Sequence, residues 1–404
     1  MLLAMGCSGS ETLTGGPPVV DNLPPQALLP PAAPLTLESR PNLGRMPVIA
    51  ELGEIPPAPL PPNAPPPAGA TFTPLGTLRG GDSEAYAISA DGSTLTGASI
   101  DPAGNRDAFV WTRASGMQAL PNSPRKPQSE GHALNSNGSK VGGLGILFDI
   151  LAAQTWTDQG VFTLPGSVAP NLPPQVVSDL SLDGTVAVGT AGTGFLGYQG
   201  FRWIQGAPQP HGLGTLGAPP GQQPGSEGHG SSGDGSVITG ISTNKAGGLS
   251  AYRWVAGTMS ALPTLGNLAF SDGWEVSADG SSIVGWSSNQ PNLVPAQATL
   301  WNASGAVSLG TLAGFEFSSQ AYGASSDGSV VVGAAASGQN FHSQAAFVWD
   351  QANGMRRLQD LLGSAVPAGW NLLVATAVSD DGQTVAGFGL NPQGAVEAFS
   401  AQLP

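Results

Sequence analysis

An all-β fold, a seven-bladed β-propeller of four-stranded blades, is predicted by three observations on this chain of 404 residues. A short phrase recurs seven times at a nearly fixed period. Each period holds text for four short strands. The last period lacks its fourth strand, and matching text stands before the first.

The phrase joins an Asp-Gly or Asn-Gly pair to a glycine six residues after the Asp or Asn. The pairs begin at Asp91, Asn137, Asp183, Asp234, Asp279, Asp327 and Asp381, and the closing glycines are Gly97, Gly143, Gly189, Gly240, Gly285, Gly333 and Gly387. Successive copies lie 46, 46, 51, 45, 48 and 54 residues apart. A period in this range marks a repeat architecture.

Within a unit the first strand runs into the Asp-Gly pair, as in Ala85-Tyr86-Ala87-Ile88-Ser89, and a β-branched run such as Val330-Val331-Val332 follows it. Asp-Gly or Asn-Gly between such runs signals a hairpin, because both residues tolerate positive φ. A third strand ends in Trp111, Trp156, Trp203, Trp254, Trp301 or Trp349, and a fourth follows a Gly-containing turn, as at Gly116–Leu120. Four short strands per unit make a propeller blade. The seventh unit stops after Ala398-Phe399-Ser400-Ala401. Its missing strand is predicted at about 71–78, where Leu75-Gly76-Thr77-Leu78 repeats the text of Leu213–Leu216 and Leu309–Leu312. That exchange closes a ring and hides its edges.

The units resemble the HAF family of extracellular repeats, in which an Ala-Ile-Ser-x-Asp-Gly phrase precedes an Ala-Phe-x-Trp phrase. Here these read Ala87–Gly92 with Ala108–Trp111, and Ala324–Gly328 with Ala346–Trp349. The resemblance spans residues 71–404. The His that often precedes Ala-Phe is replaced by Asp107, Ala345 and Glu397. What the resemblance implies is export; it carries over no catalytic residue.

Before the ring the composition changes. Residues 17–67 hold 17 prolines. Proline removes backbone donors and this text has no strand or helix period, so residues 8–70 are expected to form a disordered tether. Fully extended as polyproline, the roughly fifty residues 17–67 reach on the order of 150 Å. Residues 1–7 resemble the end of a bacterial lipoprotein signal, with Gly6 before Cys7, the single cysteine. The basic and fully apolar regions of such signals are missing, as expected if the start codon is assigned too late or the chain is shortened. Lipidation of Cys7 would make the membrane a partner and the protein an outer-membrane lipoprotein or surface protein, since several acyl chains anchor firmly.

A net charge of −14 with three lysines speaks against nucleic acid, which needs a basic stripe. No apolar run reaches eighteen residues, so no membrane-spanning helix is expected. The Asp-Gly carboxylates are explained by hairpin turns and the Trp column by core packing.

The candidate site lies five residues before each Asp or Asn: Tyr86, His132, Ser178, His229, Trp274, Tyr322 and Thr376. Two residues earlier stand Glu84, Glu130, Val176, Glu227, Asp272, Gln320 and Val374. Period-two spacing puts both sets on one side of the first strand. With that strand innermost, Glu84, Tyr86, Glu130, His132, Glu227, His229, Asp272, Trp274 and Tyr322 are expected to crowd one mouth of the channel and bind a glycan, a matrix component or a protein. No catalytic residue, cofactor or metal is assigned, and a monomeric binding module is the expected form. The alternatives are an architectural coat protein, or a metal-dependent hydrolase or lyase using His132 and His229, each preceded by Ser-Glu-Gly. No nucleophile elbow, Ser-His-Asp arrangement or phosphate loop is visible.

Overall fold

The computed structural model describes residues 66–121, 128–147, 150–170, 172–193, 197–290, 295–340 and 343–404. Cys7 and nearly all of the expected tether lie outside these residues. The tether's last five, 66–70, lie inside them: Ala70 N–H bonds Pro67 O at 3.0 Å, and Ala70 packs on the core of the last blade.

Seven four-stranded antiparallel sheets follow one another along the chain. Blade one runs Asp82–Ile88, Thr94–Ile100, Arg106–Thr112 and Gly116–Ala119, hydrogen-bonded in that order. The first strands of the next six blades are Ser129–Leu134, Pro174–Leu180, Ser226–Ser231, Phe270–Val276, Ser318–Ala324 and Asn371–Val378. These first strands touch their neighbours all the way round, blade seven to blade one included, so they are the inner ring.

The last sheet draws on both ends of the chain. Thr71–Pro74 pairs antiparallel with Val396–Gln402, Thr71 opposite Gln402. The closing strand is shorter than 71–78: after the Leu75 N–H bond to Ala398 O, Gly76 takes a φ of +73° and the chain crosses to blade one. Phe72 meets Trp370 edge-on at 4.9 Å and Phe399 at 5.5 Å, fixing this strand in the core. Between blades six and seven the connection carries one short helix, Leu358–Leu362.

Six of the seven turn phrases are built the same way, and in blade two Asn135 Oδ1 takes the serine's place, accepting from Lys140 N–H at 2.8 Å. Ser89 Oγ donates to Asp91 Oδ1 at 2.7 Å, Ser93 N–H donates to that oxygen at 3.0 Å, and Thr94 N–H bonds Ser89 Oγ at 3.0 Å. Ser181, Ser232, Ser277, Ser325 and Ser379 repeat the first bond with their own Asp. These turn carboxylates are therefore structural. Hydrogen bonds from Ser236 and Ser232 hold Asp234 down to about 2, well below the usual carboxylate range.

The closing glycine has a different cause. A Cβ on Gly97 would sit 1.9 Å from Glu84 O, and on Gly143, Gly189, Gly240, Gly285, Gly333 and Gly387 it would meet the equivalent carbonyl at 1.9–2.1 Å. Only hydrogen fits between the first and second strands at that point.

Blades are joined by wedges of apolar side chains and by a recurring serine. The wedge between blades seven and one holds Ala386 and Ala398 with Leu95, Phe109 and Trp111. Across the same junction Ala398 N–H bonds Ser83 Oγ at 3.0 Å, and that hydroxyl donates to Gly76 O at 2.7 Å. Ser129, Ser226, Ser271 and Ser319 accept equivalent amide bonds from the preceding blade. Five of the Trp indoles are buried as expected, and Trp349 is partly buried. Trp156 and Trp301 also donate Nε1–H to Pro121 O and Pro263 O of the blade before, both at 2.8 Å.

Candidate functional site

Every inner strand breaks register at the same place. Pairing with the second strand skips Tyr86, His132, Ser178, Trp274, Tyr322 and Thr376, and in blade four it skips both His229 and Gly230. A β-bulge of this kind leaves its extra residue unpaired and re-aims the side chain. All seven positions five residues before the turn are thus bulge residues, and all seven line a cavity of about 160 Å³ in the channel, at the end carrying the Asp-Gly turns. Buckling of the strand also presses the carbonyl two residues earlier onto the closing glycine. Bulge and glycine are one device.

Around that end runs a hoop of backbone hydrogen bonds between neighbouring turns. Ala90 N–H bonds Ser136 O, Ser136 bonds Leu182, Leu182 bonds Gly233 and Gly233 bonds Ala278, at 2.8–3.0 Å. Asp279 N–H then bonds Ser326 O, Ser326 bonds Asp380, and Asp380 bonds Ala90, at 3.0–3.1 Å.

The second expected set occupies a different place. Glu84, Glu130, Glu227 and Asp272 do not line the cavity; they sit behind the rings and hold their polar atoms. Tyr86 donates its hydroxyl to Glu84, Tyr322 donates to Gln320 Oε1 at 2.7 Å, and His132 Nε2 lies 3.2 Å from Glu130 Oε2. His229 Nε2 lies 3.4 Å from Glu227 Oε2, and its Nδ1 is 3.2 Å from Asp272 Oδ1 of the next blade. The expectation that these carboxylates crowd the mouth is corrected: residues two apart do share a face, yet the bulge brings the cavity floor up to the later of each pair.

Electrostatically the anchors share their cations two to one. Arg106 Nη1 lies 3.2 Å from Glu130 Oε1 and 3.6 Å from Glu84 Oε2. Burial opposes charge on His229, but the carboxylates of Asp272 and Glu227 outweigh it and raise its pKa to about 10. Burial, then the nearby Glu84 and Glu130 carboxylates, pushes the Tyr86 hydroxyl well above its ordinary value.

The rings form two arcs. Tyr86 stacks on His132 at 5.2 Å with planes 5° apart. His229 lies 4.8 Å from Trp274, which meets Tyr322 edge-on at 5.7 Å, with Trp286 filling behind both. His132 and His229 line the same cavity, each committed to its own carboxylate. His211 stands apart beside Trp254, and His342 lies outside the described residues. Among the described residues no group of three or more His, Cys, Asp or Glu is arranged to hold a metal ion.

Sequence reasoning missed Arg106, Trp286 and three acids that do line the cavity, Asp179, Glu275 and Asp380. Asp179 and Glu275 follow the bulge residue directly, where strict alternation points them away. Asp179 Oδ2 accepts both N–H and Oγ–H of Ser231 at 2.7 Å. Burial, only partly offset by these bonds, raises Asp179 to about 6. Glu275 is raised well above the ordinary carboxylate value by burial and then by Asp179.

Fold and channel define the chain as a seven-bladed β-propeller with an aromatic and acidic cavity at the Asp-Gly end. No protein-family model matches it, and neither does any curated protein searched. Among solved structures it is similar to TolB from Acinetobacter baumannii, at 14% identity and a TM-score of 0.43, over 78% of this chain and 64% of that one. It thus spans under two thirds of that structure's length. It is also similar to the Cps50 (Swd1) β-propeller domain of Myceliophteria thermophila, at 10% identity and a TM-score of 0.48, over 80% and 98% of the two chains. At these values neither bears on what the present chain binds. Among the described residues no helix is long and apolar enough to cross a membrane.

Proposed function

We propose that this propeller is a binding module of the bacterial cell envelope, exported as its HAF-like repeats imply, tethered by the proline-rich segment and anchored through a lipid on Cys7. Its ligand is a glycan, a matrix component or a protein that presents a small group to the channel. The observation that carries this reading is the ring of bulges, which turns five aromatic or imidazole side chains into one cavity. Bulges concentrate at binding and active sites because they re-aim side chains. The cavity is small beside the roughly 300–1,000 Å³ of drug-sized pockets, so it suits one projecting group of a larger ligand.

Thermal denaturation of the full chain against glycans and peptides tests this. A ligand at a hundred times its dissociation constant is expected to add about 2.7 kcal/mol, with the shift lost in Trp274→Ala. No shift with any ligand would leave the architectural coat role instead. For the anchor, the wild-type chain is expected to partition with membranes and Cys7→Ser with the soluble fraction. Equal partitioning of the two would remove the lipid from this reading.

A further inference from the structure

Among the described residues, none of the three acids lining the cavity, Asp179, Glu275 and Asp380, has a cationic partner of its own. Arg106 is taken by Glu84 and Glu130, and His229 is clamped between Glu227 and Asp272. Among the described residues no lysine or arginine lines the cavity. Asp179 and Glu275 nonetheless converge there over blade four. Asp179 reaches across from blade three to Ser231. Glu275 approaches from blade five: a Cβ on Gly230 would lie 2.7 Å from Glu275 Cα and from Trp274 O and 2.9 Å from Glu275 Oε1, so only glycine admits this strand and its carboxyl, whose Oε1 accepts from Val276 N–H at 2.8 Å. Beside them Ser178 Oγ is enclosed by the wall and makes no hydrogen bond. Carboxylates brought together out of water are costly unless a cation or a proton compensates them. Aromatic faces in the same cavity attract organic cations through the ring quadrupole.

We propose that Asp179 and Glu275 form the receptor for a single alkylammonium group, its charge held between the two carboxylates and its carbon chain laid against the aromatic wall. The proposal rests on the cavity being the binding site and names what enters it. The ammonium belongs either to a lysyl side chain of a protein ligand or to a free small amine. When the site is empty a proton takes the cation's place, so amine uptake expels it. His229 keeps its charge from pH 4.5 to 7.5, whereas burial raises Asp179, Glu275, the neighbouring Asp380 and the Glu227 carboxyl beside His229.

Calorimetry on the full chain decides it, with n-butylammonium, a blocked Gly-Lys-Gly peptide, the same peptide acetylated on its lysine, and n-butanol. Butylammonium or the lysyl peptide is expected to bind at pH 7.5, the acetylated peptide and butanol not at all. Binding by the peptide alone assigns the lysyl source, and comparable binding by butylammonium assigns the free amine. Affinity is expected to fall about tenfold or more at pH 4.5, and similarly in Asp179→Asn and Glu275→Gln, whose amides keep the volume and an acceptor. The pH arm on the wild type stands if either variant misfolds. Equal binding of the acetylated peptide, or amine binding indifferent to both pH and both acids, overturns the proposal. A neutral glycan or peptide that binds through Trp274 while amines do not would also overturn it, and would leave the cavity's binding role intact. Failure of every ligand removes both.

Discussion

Gly240→Ala is expected to cost about 3 kcal/mol or more, at the upper end of overpacking substitutions. Its new Cβ would lie 2.0 Å from Glu227 O and 3.0 Å from Tyr252 Oη. Neither atom is free to retreat, because Tyr252 donates its hydroxyl to that same carbonyl at 2.9 Å. Relief requires flattening the bulge, which would withdraw His229 from the channel. The control is Gly338→Ala, whose Cβ would meet nothing nearer than Ser343 Oγ at 3.7 Å, and it is expected to change stability by less than about 1 kcal/mol. Urea denaturation of both variants checks the contrast. A Gly240→Ala protein within 1 kcal/mol of wild type would show that bulge and glycine are not coupled.

His229→Gln is expected to cost about 3–5 kcal/mol at pH 7, because it strands Glu227 and Asp272 as buried charges without their shared cation. The pH dependence has a defined sign. A histidine raised from its ordinary 6.5 to about 10 on folding contributes its full stabilisation below about pH 6.5 and loses it as pH climbs to 10. The wild-type melting temperature should therefore decline across that interval, and the decline should be reduced in His229→Gln. Replacing all three groups, with Glu227→Gln and Asp272→Asn added, is expected to recover most of the loss, since removing a whole buried ion cluster is far cheaper than breaking it. A triple variant no more stable than the single one would mean that His229 acts through packing on Trp274 and not through charge.

Both predictions concern features of unequal legibility. The blades could be read because a hairpin turn is local: Gly92 takes a positive φ and Ser89 needs the Asp91 carboxylate, all within five residues. Ring closure could be read because Leu75–Leu78 copies the text that follows the outer strand in blades three and five. Tyr86, His132, His229, Trp274 and Tyr322 were found because they hold a fixed offset from the turn. A bulge is a statement about two strands, and no single-strand periodicity contains it. Strict alternation therefore carried Glu84, Glu130, Glu227 and Asp272 into the cavity and left Asp179 and Glu275 out of it. One trace was present: an invariant glycine opposite the inner strand, whose reason is the carbonyl the bulge displaces. Arg106 and Trp286 had no such trace, since they belong to the third strand of blade one and the second strand of blade five.

The hoop of amides at the Asp-Gly end separates two jobs that most binding rims must share. Its seven links use only main-chain atoms of Ala90, Ser136, Leu182, Gly233, Ala278 with Asp279, Ser326 and Asp380. No side chain at these positions makes any of the seven links, although the Asp279 carboxylate also holds its own turn through Ser277 Oγ and Ser281 N–H. The aperture is therefore gauged by the number of blades, while its chemistry is written in side chains that make none of the links; Gly233 is fixed for a separate reason, since a Cβ there would lie 2.7 Å from Leu182 Cδ1. Such a collar behaves as an interchangeable filter on a rigid fitting: selectivity can drift between relatives, or be redesigned, at constant bore.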